Sequence, residues 1–353
     1  MSAVTNAPAQ PVFPEVTVLL GDPRLADGSK REGGFHDEDF ATRDAMKAAF
    51  ASLPGYSFRY LDDHETVLEE LRAAPSRFVV NFCDTGFRNE PTRELNLPAY
   101  LEMLGVPYSG APPAAMVLAW DKSIGRAIAL ASGIDVPDEV VVAPGDEVDA
   151  SMPEAYPAFV KPACADGSVG ITVDAIVHDR AAAAARVRAV RGELPGRAIL
   201  VQEFLSGTEY GVGVIGNPER GFTVLPPLEV DYGSLDPALP RLLGFESKAM
   251  PGTPYWSDIH FRQARLSAGD RATIELAATT MFERLSLRDY GRFDFRADAA
   301  GRIKFIECNP NPAWSNDGKL AYMAGFAGME YRDMLRLILE TAQARAAAER
   351  GSG

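Results

Sequence analysis

The sequence predicts an α/β protein with additional α+β parts, built as two or three domains. Strand and helix signals alternate over residues 16–110, which is typical of βαβ units and of a parallel sheet. The chain has 353 residues, of which 46% are hydrophobic, so it can bury two or three separate cores. Pairs of strand signals follow in the second half, as expected for the α+β parts.

The first predicted unit covers residues 1–111. Residues 1–15 are expected to form a flexible arm. The apolar run 15–20 then ends in Gly-Asp-Pro, which is typical of a buried strand followed by a turn. Further strands are predicted at 56–60 and 77–82, and helices at 40–52, 65–73 and 97–104.

Two further units are predicted at 112–215 and 216–353. The first should contain one long helix and a glycine-containing loop between strands. The second should begin with an irregular Pro- and Gly-rich stretch and close with a strand pair and a helix that frays after Ala342. The helices of these units are predicted at 113–132, 180–191, 268–285 and 331–342, and the strands before the final pair at 139–142, 158–161, 199–204 and 209–215.

Composition excludes several classes of protein. The net charge is −14, from 35 basic and 49 acidic side chains, which argues against non-specific binding of nucleic acid or of anionic membranes. The sequence shows neither an apolar window of about 18 residues for a membrane span nor the pattern of a signal peptide. Three scattered cysteines, Cys83, Cys164 and Cys308, lack metal-ligand spacing. We therefore expect reduced thiols in a cytoplasmic protein.

The most informative stretch is the predicted hairpin near the C-terminus, with strands at 292–297 and 302–308. Asp298 to Gly301 supply turn residues between them. We expect a register that pairs Arg292 with Glu307 and Asp294 with Phe305. Because side chains alternate across a strand, polar residues then share one face and apolar residues the other. The polar set is Arg292, Asp294, Glu307 and Asn309, and the apolar set is Phe293, Phe295, Ile303 and Ile306.

Two interpretations of the polar face remain open from the residues alone. It could be a solvated sheet face with a salt bridge. It could also be a Mg²⁺ site, because Asp294, Glu307 and Asn309 offer the hard oxygen ligands that Mg²⁺ prefers beside substrate phosphates. Arg292 would then stabilise charge on a reacting phosphoryl or tetrahedral oxygen.

A candidate phosphate-binding loop follows the strand that ends at Lys161. The segment from Gly167 to Gly170 could present backbone N–H groups to phosphate oxygens, and Lys161 would add a point charge. The loop has neither the Walker A nor the Rossmann pattern, so a plain surface turn is an alternative. Taken singly, Lys122 and Lys248 are typical of solvated surface lysines. The connector at 201–209 could meet a purine edge, with Glu209 binding a ribose hydroxyl.

In this order and spacing, the segments resemble the ATP-grasp superfamily, and within it the D-alanine–D-alanine ligase-like branch. The resemblance covers about residues 75–341. The motifs that carry it are Tyr108-Ser-Gly110, Trp120-Asp-Lys122, Val160-Lys-Pro162, Gly167-Ser-Val-Gly170, Leu205-Ser-Gly207, Glu209, Glu246-Ser-Lys248, Arg292-Phe-Asp294 and Glu307-Cys-Asn309.

This resemblance implies an ATP-grasp fold, with a parallel-sheet domain before two ATP-binding lobes. ATP and Mg²⁺ are the implied cofactors, with Mn²⁺ as an alternative ion. Arg292 and Lys248 are the implied catalytic residues, and Asp294, Glu307 and Asn309 the implied metal ligands. Those implied for the nucleotide are Lys122, Lys161 and Lys248 at the phosphates, Gly167, Ser168 and Val169 in a lid, Gln202, Glu203, Phe204 and Leu205 at adenine, and Glu209 at the ribose.

The resemblance further implies a reaction in which ATP phosphorylates a carboxylate and an amine then displaces phosphate to form an amide. The segments that bind the amino acids in D-alanine ligases differ here, and Gly318 and Lys319 stand where Ser and Leu are expected. We therefore predict a dipeptide or amide ligase of specialised metabolism that does not make D-Ala–D-Ala. The candidate substrate-binding residues are Arg24, Asp39, Arg88, Trp314, Ser315 and Lys319.

Two other functions stay open. One is an ATP-grasp phosphotransferase or carboxylase whose acceptor is not an amine. The other is a non-catalytic nucleotide-binding protein, which the retention of the arginine, the lysines and the acidic set disfavours. Amino acids are the expected small-molecule partners, with no nucleic acid and no membrane, and a homodimer is expected by analogy only.

Overall fold

The N-terminal unit contains a parallel sheet, as predicted. The structure is a computed structural model that describes residues 11–28, 30–164, 172–244, 246–250 and 252–351, without the side chains of Lys248 and Ala249. β1 lies between β2 and β3 and runs parallel to both. The elements are β1 (Glu15–Leu19), α1 (Asp37–Ala51), β2 (Ser57–Leu61), α2 (Val67–Ala73), β3 (Val79–Asn81) and α3 (Asn96–Met103).

A four-stranded antiparallel sheet forms the centre of the second unit, in the order β4-β7-β5-β6. One helix, α6, packs on one face of this sheet, and the other face carries the polar residues described below. The elements are α4 (Pro113–Trp120), α5 (Lys122–Ala131), β4 (Glu139–Val142), β5 (Ala158–Pro162), β6 (Ile176–Val177), α6 (Arg180–Glu193) and β7 (Ile199–Glu203).

The prediction of one helix over 113–132 was wrong, because the helix is interrupted at Asp121. Asp121 has extended backbone angles, and its carboxylate accepts hydrogen bonds from the N–H groups of Ser123 (2.9 Å) and Ile124 (3.4 Å). This is the ordinary N-cap arrangement, in which a side chain satisfies the free donors of a helix start. The cap places Lys122 in the first turn of α5.

A six-stranded sheet forms the third unit, with the path β11-β10-β8-β12-β13 and β9 added beside β8. Its elements are β8 (Glu209–Asn217), β9 (Gly221–Val224), β10 (Leu228–Asp231), α7 (Glu246–Ala249), α8 (Pro254–Ser257), β11 (His260–Gln263), α9 (Ala268–Arg284), β12 (Asp289–Ala297), β13 (Ile303–Asn309), α10 (Lys319–Phe326) and α11 (Tyr331–Gly351). Within the residues described, no helix is long and apolar enough to cross a membrane.

The sheets divide the chain at a different place from the predicted boundary. Residue 215 lies inside β8, which pairs with β10 and β12 of the third unit. The chain passes from one sheet to the next between Glu203 and Glu209, so this segment connects the two lobes.

The prediction that the chain frays after Ala342 was also wrong. α11 continues to Gly351 because its second half is anchored. Gln343 bonds both backbone polar groups of Phe13, at 3.2 Å and 2.8 Å, and Arg345 forms a bidentate pair with the buried Asp289 at 2.9 Å. Phe13 is itself buried, so the predicted arm is packed at that residue.

One apolar cluster joins the first and third units. It contains Phe50 and Phe82 of the N-terminal unit together with Leu320 of α10 and Leu335 of α11. These four side chains are fully buried. The N-terminal unit therefore shares its core with the third unit.

Candidate active site

A cleft of about 470 Å³ lies between the four-stranded and six-stranded sheets. Strands of both sheets line it, so its two walls belong to different lobes. Twelve of the residues predicted from the sequence line this cleft together: Lys122, Lys161, Gln202, Glu203, Phe204, Leu205, Glu209, Arg292, Asp294, Glu307, Asn309 and Lys319.

The β12–β13 hairpin supplies the polar floor of the cleft. As predicted, Arg292, Asp294, Glu307 and Asn309 share its cleft face. The predicted register was wrong, because Arg292 pairs with Asn309 and Asp294 pairs with Glu307. The two carboxylates are therefore direct cross-strand neighbours.

The observed register differs from the prediction in two steps, because the pairing beside the turn is offset by one residue and a β-bulge after Asp294 adds a second offset. Beyond the bulge Phe295 pairs with Phe305, and the two rings form an edge-to-face contact with centroids 5.6 Å apart. A bulge inserts one residue into one strand, so Phe305 turns into the apolar core and Ile306 lines the cleft instead. The predicted placements of Phe305 and Ile306 were therefore reversed.

The two carboxylates of the floor are compensated by cations. Arg292 donates to both oxygens of Asp294, at 2.9 Å each, and Lys122 Nζ lies 3.3 Å from Glu307 Oε2. Burial alone would raise the pKa of Glu307, yet the positive charges of Lys122 and Lys161 hold it below its usual value. Glu307 is thus charged at neutral pH.

Asp294, Glu307 and Asn309, here called the ion site, fit Mg²⁺ by donor type. They offer two carboxylates and an amide oxygen, and Asn309 Nδ2 donates to Asp294 Oδ2 at 3.2 Å. No group of three His, Cys, Asp or Glu side chains suited to a metal occurs in the described ranges. An ion at this site would therefore need further oxygen ligands, which nucleotide phosphates supply in typical Mg²⁺ sites.

Lys161 on β5 faces the ion site from the opposite wall. Its side chain is buried, and Nζ lies 6.0 Å from the Phe159 ring centroid. Burial, together with the neighbouring charges of Arg126 and Lys122, lowers the pKa of Lys161 to about 7 against the opposing effect of Glu307. A bound polyanion would restore its positive charge.

The base end of the cleft consists of Phe159, Gln202, Glu203, Phe204 and Leu205. The rings of Phe159 and Phe204 lie with centroids 6.3 Å apart. Apolar walls with one buried amide are suited to a planar heterocycle. This end therefore matches the predicted adenine site in composition.

A further part of the cleft, here called the acceptor end, contains Phe261, Gly318 and Lys319 together with Glu209, the residue that the resemblance assigns to the ribose. Lys319 Nζ lies 3.4 Å from Glu209 Oε1 and 5.8 Å from the Phe261 ring centroid. Tyr232 donates its hydroxyl to Glu209 Oε2 at 3.3 Å. Both members of the Glu209–Lys319 pair are mostly shielded from solvent, so water screens their attraction only weakly.

Five predicted substrate-binding residues are absent from the cleft lining within the described chain: Arg24, Asp39, Arg88, Trp314 and Ser315. Asp39 caps α1 through the backbone N–H of His36 and pairs with Lys30 at 2.6 Å. Arg88 is exposed and pairs with Glu65. Arg24 is half exposed and pairs with Asp22 at 2.7 Å.

Trp314 joins two units of the protein. Its indole N–H donates to the carbonyl of Phe82 at 2.7 Å, and the rings of the two residues stack with centroids 5.5 Å apart. The side chain is buried, and its single donor is already used. Ser315 lies in the same loop, where its carbonyl accepts from the N–H of Gly318 at 3.1 Å.

Gly167, Ser168 and Val169 of the predicted lid lie outside the described residues, as does the side chain of Lys248. Sequence reasoning also missed several residues of the cleft and its surroundings, notably Arg126, Glu139 and Arg296. One signal could have indicated Arg126, because it follows Lys122 by one helical turn in α5 and shares its face. Glu139 depends on strand pairing, which the sequence alone does not fix.

Comparison with known proteins agrees with this geometry. A family model described as the D-ala D-ala ligase C-terminus matches residues 133–340, more than half of the chain. The chain belongs to the D-alanine–D-alanine ligase family. It is thereby an ATP-dependent carboxylate–amine ligase with the ATP-grasp fold.

Individual members of the family are distant in sequence. An uncharacterised protein, y4sG, of Sinorhizobium fredii is 29% identical over 77% of this chain and 76% of its own. The D-alanine–D-alanine ligase of Desulfotalea psychrophila is 26% identical over 72% of this chain and 76% of its own. The ATP-bound crystal structure of the Bacillus anthracis D-alanine–D-alanine ligase shares the fold, with a TM-score of 0.69 at 19% identity over 95% of this chain and 99% of its own.

Proposed function

We propose that this ligase joins the carboxylate of one amino acid to the amine of a second, and that its product is a dipeptide or amide other than D-Ala–D-Ala, made in specialised metabolism. The observation that carries the proposal is the acceptor end of the cleft. Lys319 lies there beside Glu209, in the same cavity as the ion site and the base end.

The nucleotide half of the proposal rests on charge. Lys122 and Lys161 face the ion site from one lobe, and Arg292 faces it from the other. Three cations around two carboxylates suit a triphosphate with its ion. Bound Mg²⁺, which Asp294, Glu307 and Asn309 would hold, would neutralise phosphate charge during transfer.

The proposed chemistry has two steps. A substrate carboxylate oxygen attacks the γ-phosphorus of ATP, and the bond to the β-phosphate oxygen breaks, releasing ADP. The amine of the second substrate then attacks the acyl carbon, so that the carbon–nitrogen bond forms, inorganic phosphate leaves and the amine loses a proton. Arg292 would stabilise the tetrahedral oxygen of this second step.

The acceptor end supports a product other than D-Ala–D-Ala. Gly318 occupies a tight turn, where a Cβ would lie 2.9 Å from Ser315 Oγ and 3.1 Å from the Ala313 carbonyl oxygen. A serine would not fit there without a shift of the loop. The polar contact offered to the second substrate is instead Lys319, an ammonium that binds anions and has three donors.

A product-resolved screen tests this function. The protein, ATP and Mg²⁺ are incubated with pairs of L- and D-amino acids, ADP is measured, and products are identified by mass spectrometry. We expect ADP only with particular pairs, and an amide product from them. Turnover with D-alanine alone as fast as with any other pair would refute the proposed specificity, and a phosphorylated product without an amide would favour a phosphotransferase.

The Lys319→Met variant tests the acceptor end. We expect the KM of the amine substrate to rise about ten-fold or more, since a hydrogen bond to a charged group contributes roughly 1.5–3 kcal/mol. Lys319→Arg keeps the positive charge, so its KM for the amine substrate should rise less. Lys47→Met, a change on the exposed surface of α1, is the matched control. An unchanged KM in Lys319→Met would remove Lys319 from the proposed site.

A further inference from the structure

Three side chains form a row across the sheet beneath the base end of the cleft. Gln202 on β7 lies directly between its cross-strand partners Glu139 on β4 and Phe159 on β5. Gln202 is buried and lines the cleft. Its polar atoms therefore matter for whatever binds at the base end.

The orientation of the Gln202 amide is fixed from one side. Glu139 Oε2 accepts from Arg126 Nε at 2.8 Å and also from Arg126 Nη2. The same oxygen accepts from Gln202 Nε2 at 3.0 Å. Because a carboxylate oxygen only accepts, the amide must turn its nitrogen toward Glu139. Its oxygen then points the other way.

The oxygen of Gln202 is open to the cleft. Among the described residues no group donates a hydrogen bond to Gln202 Oε1. The atom is not enclosed by the protein, so a bound molecule can reach it. The backbone N–H groups of Glu203 and Phe204 are already bonded, to the carbonyls of Asp138 (2.8 Å) and Pro157 (3.1 Å). The cleft thus receives an oriented acceptor from Gln202.

We propose that Arg126 and Glu139 are positioning residues that select the base of the nucleotide by holding the Gln202 oxygen toward the cleft. A 6-amino purine can donate to this oxygen, whereas a 6-oxo purine presents an acceptor to it. Two acceptors facing each other leave a buried group unsatisfied, which costs binding energy. This inference rests on the proposed nucleotide site and adds the cause of its base preference.

Arg126 is well placed for this role because it is itself held rigidly. It is 1% exposed, and its Nη1 donates to the carbonyl of Ile306 at 2.9 Å. Ile306 is the residue that the bulge turns toward the cleft. A carbonyl of the third unit thereby holds the Arg126 guanidinium in place. The guanidinium in turn holds the Glu139 carboxylate, which orients the Gln202 amide.

Calorimetric binding of ADP and IDP, with Mg²⁺, tests the inference, because these nucleotides differ in the 6-position of the base. We expect the unchanged protein to prefer ADP about ten-fold, the effect of one hydrogen bond. In Gln202→Met the ratio of ADP affinity to IDP affinity should fall close to one. The paired change Arg126→Met with Glu139→Met, which avoids leaving a single buried charge, should do the same.

The combination of variants separates a positioning role from a structural one. Adding Arg126→Met and Glu139→Met to Gln202→Met should cause no further change in preference, since residues that act through a third are not additive with it. Arg188→Met, an exposed change on α6, is the control for a lost ion pair.

Each outcome decides between the hypotheses. A paired variant that binds ADP with the original preference would overturn the inference. If that variant does not fold, an unchanged preference in Gln202→Met overturns it instead. Failure of the unchanged protein to bind either nucleotide would contradict the proposed nucleotide site, which is a different result from binding both equally well.

Discussion

The negative charge of Glu307 interacts with the positive charges of Lys122 and Lys161. A substitution at this residue therefore tests the proposed ion site. Glu307→Gln keeps the shape of the side chain but removes its charge. We expect turnover to fall by roughly 100-fold or more. An ion held by Glu307 would stabilise the charge of the transition state by several kcal/mol, and the variant would weaken its binding. ADP production at saturating Mg²⁺ measures the effect.

The matched control for this change is Glu275→Gln, which alters a partly exposed ion pair on α9. Such pairs contribute about 0–1 kcal/mol, so activity should stay near the original. Near-full activity in Glu307→Gln would instead mean that the ion is bound elsewhere.

The lowered pKa of Lys161, about 7, predicts a pH dependence. In the free protein the ammonium is charged below pH 7 and increasingly neutral above it. Nucleotide phosphates favour the charged form and raise its pKa, so binding at pH 8 should take up protons. Calorimetric titration of MgADP in two buffers with different ionisation enthalpies measures this uptake, and affinity should weaken as the pH rises through 7.

Lys161→Met provides the control for the proton uptake. It removes the titrating group, so the binding enthalpy should lose most of its dependence on the buffer at pH 8. Equal proton uptake in Lys161→Met and the unchanged protein would assign the titration to another residue.

Among the elements, the β12–β13 hairpin shows what the sequence could and could not reveal. Alternation predicted that Arg292, Asp294, Glu307 and Asn309 share a face, and they do. The bulge after Asp294 could not be read from the sequence, since it depends on how two strands pair. Patterns local to one strand are visible in a sequence, while contacts between distant segments are not.

The corrected hairpin predicts different stabilities for two neighbouring changes. Phe305→Ala removes a fully buried ring and should reduce the free energy of unfolding by about 3–5 kcal/mol. Ile306→Ala lies on the cleft and should cost roughly 1 kcal/mol. Urea denaturation of both variants measures the difference, and a larger loss for Ile306→Ala would support the register first expected from the sequence.

Helix α5 gives a second example of this limit. Its start at Lys122 follows from the side chain of Asp121, a capping residue that is visible in the sequence. Apolar periodicity runs through the break, however, so the helical pattern alone joins α4 and α5. The place of Trp314 was equally hidden, because its partner, Phe82, is 232 residues away.

Across the whole molecule, a buried ion pair fastens the N-terminal unit to the third unit. Asp289 bonds Arg345 twice at 2.9 Å, and also the N–H of Gly110 at 2.9 Å, while Arg345 donates to the carbonyl of Tyr108 at 2.7 Å. Burial would lower the pKa of Arg345, but Asp289 raises it above its usual value. The guanidinium therefore stays charged inside the protein.

Removing the partner of this buried charge should be costly. We expect Asp289→Asn to reduce the free energy of unfolding by about 3–5 kcal/mol, seen as a lower melting temperature and faster proteolysis. Arg336→Met, on the exposed side of the same helix and paired with Asp333, should change it by less than about 1 kcal/mol. Equal effects of the two variants would show that the buried pair does not join the units.

The shared core has a consequence for biosynthesis. The N-terminal sheet is synthesised first. Helix α11 packs against its apolar side but is synthesised only after all the other elements described here. The contact between Phe13 and Gln343 spans 330 positions. During translation the rings of Phe50 and Phe82 must therefore remain uncovered, or be shielded by a chaperone, until the final helix has left the exit tunnel.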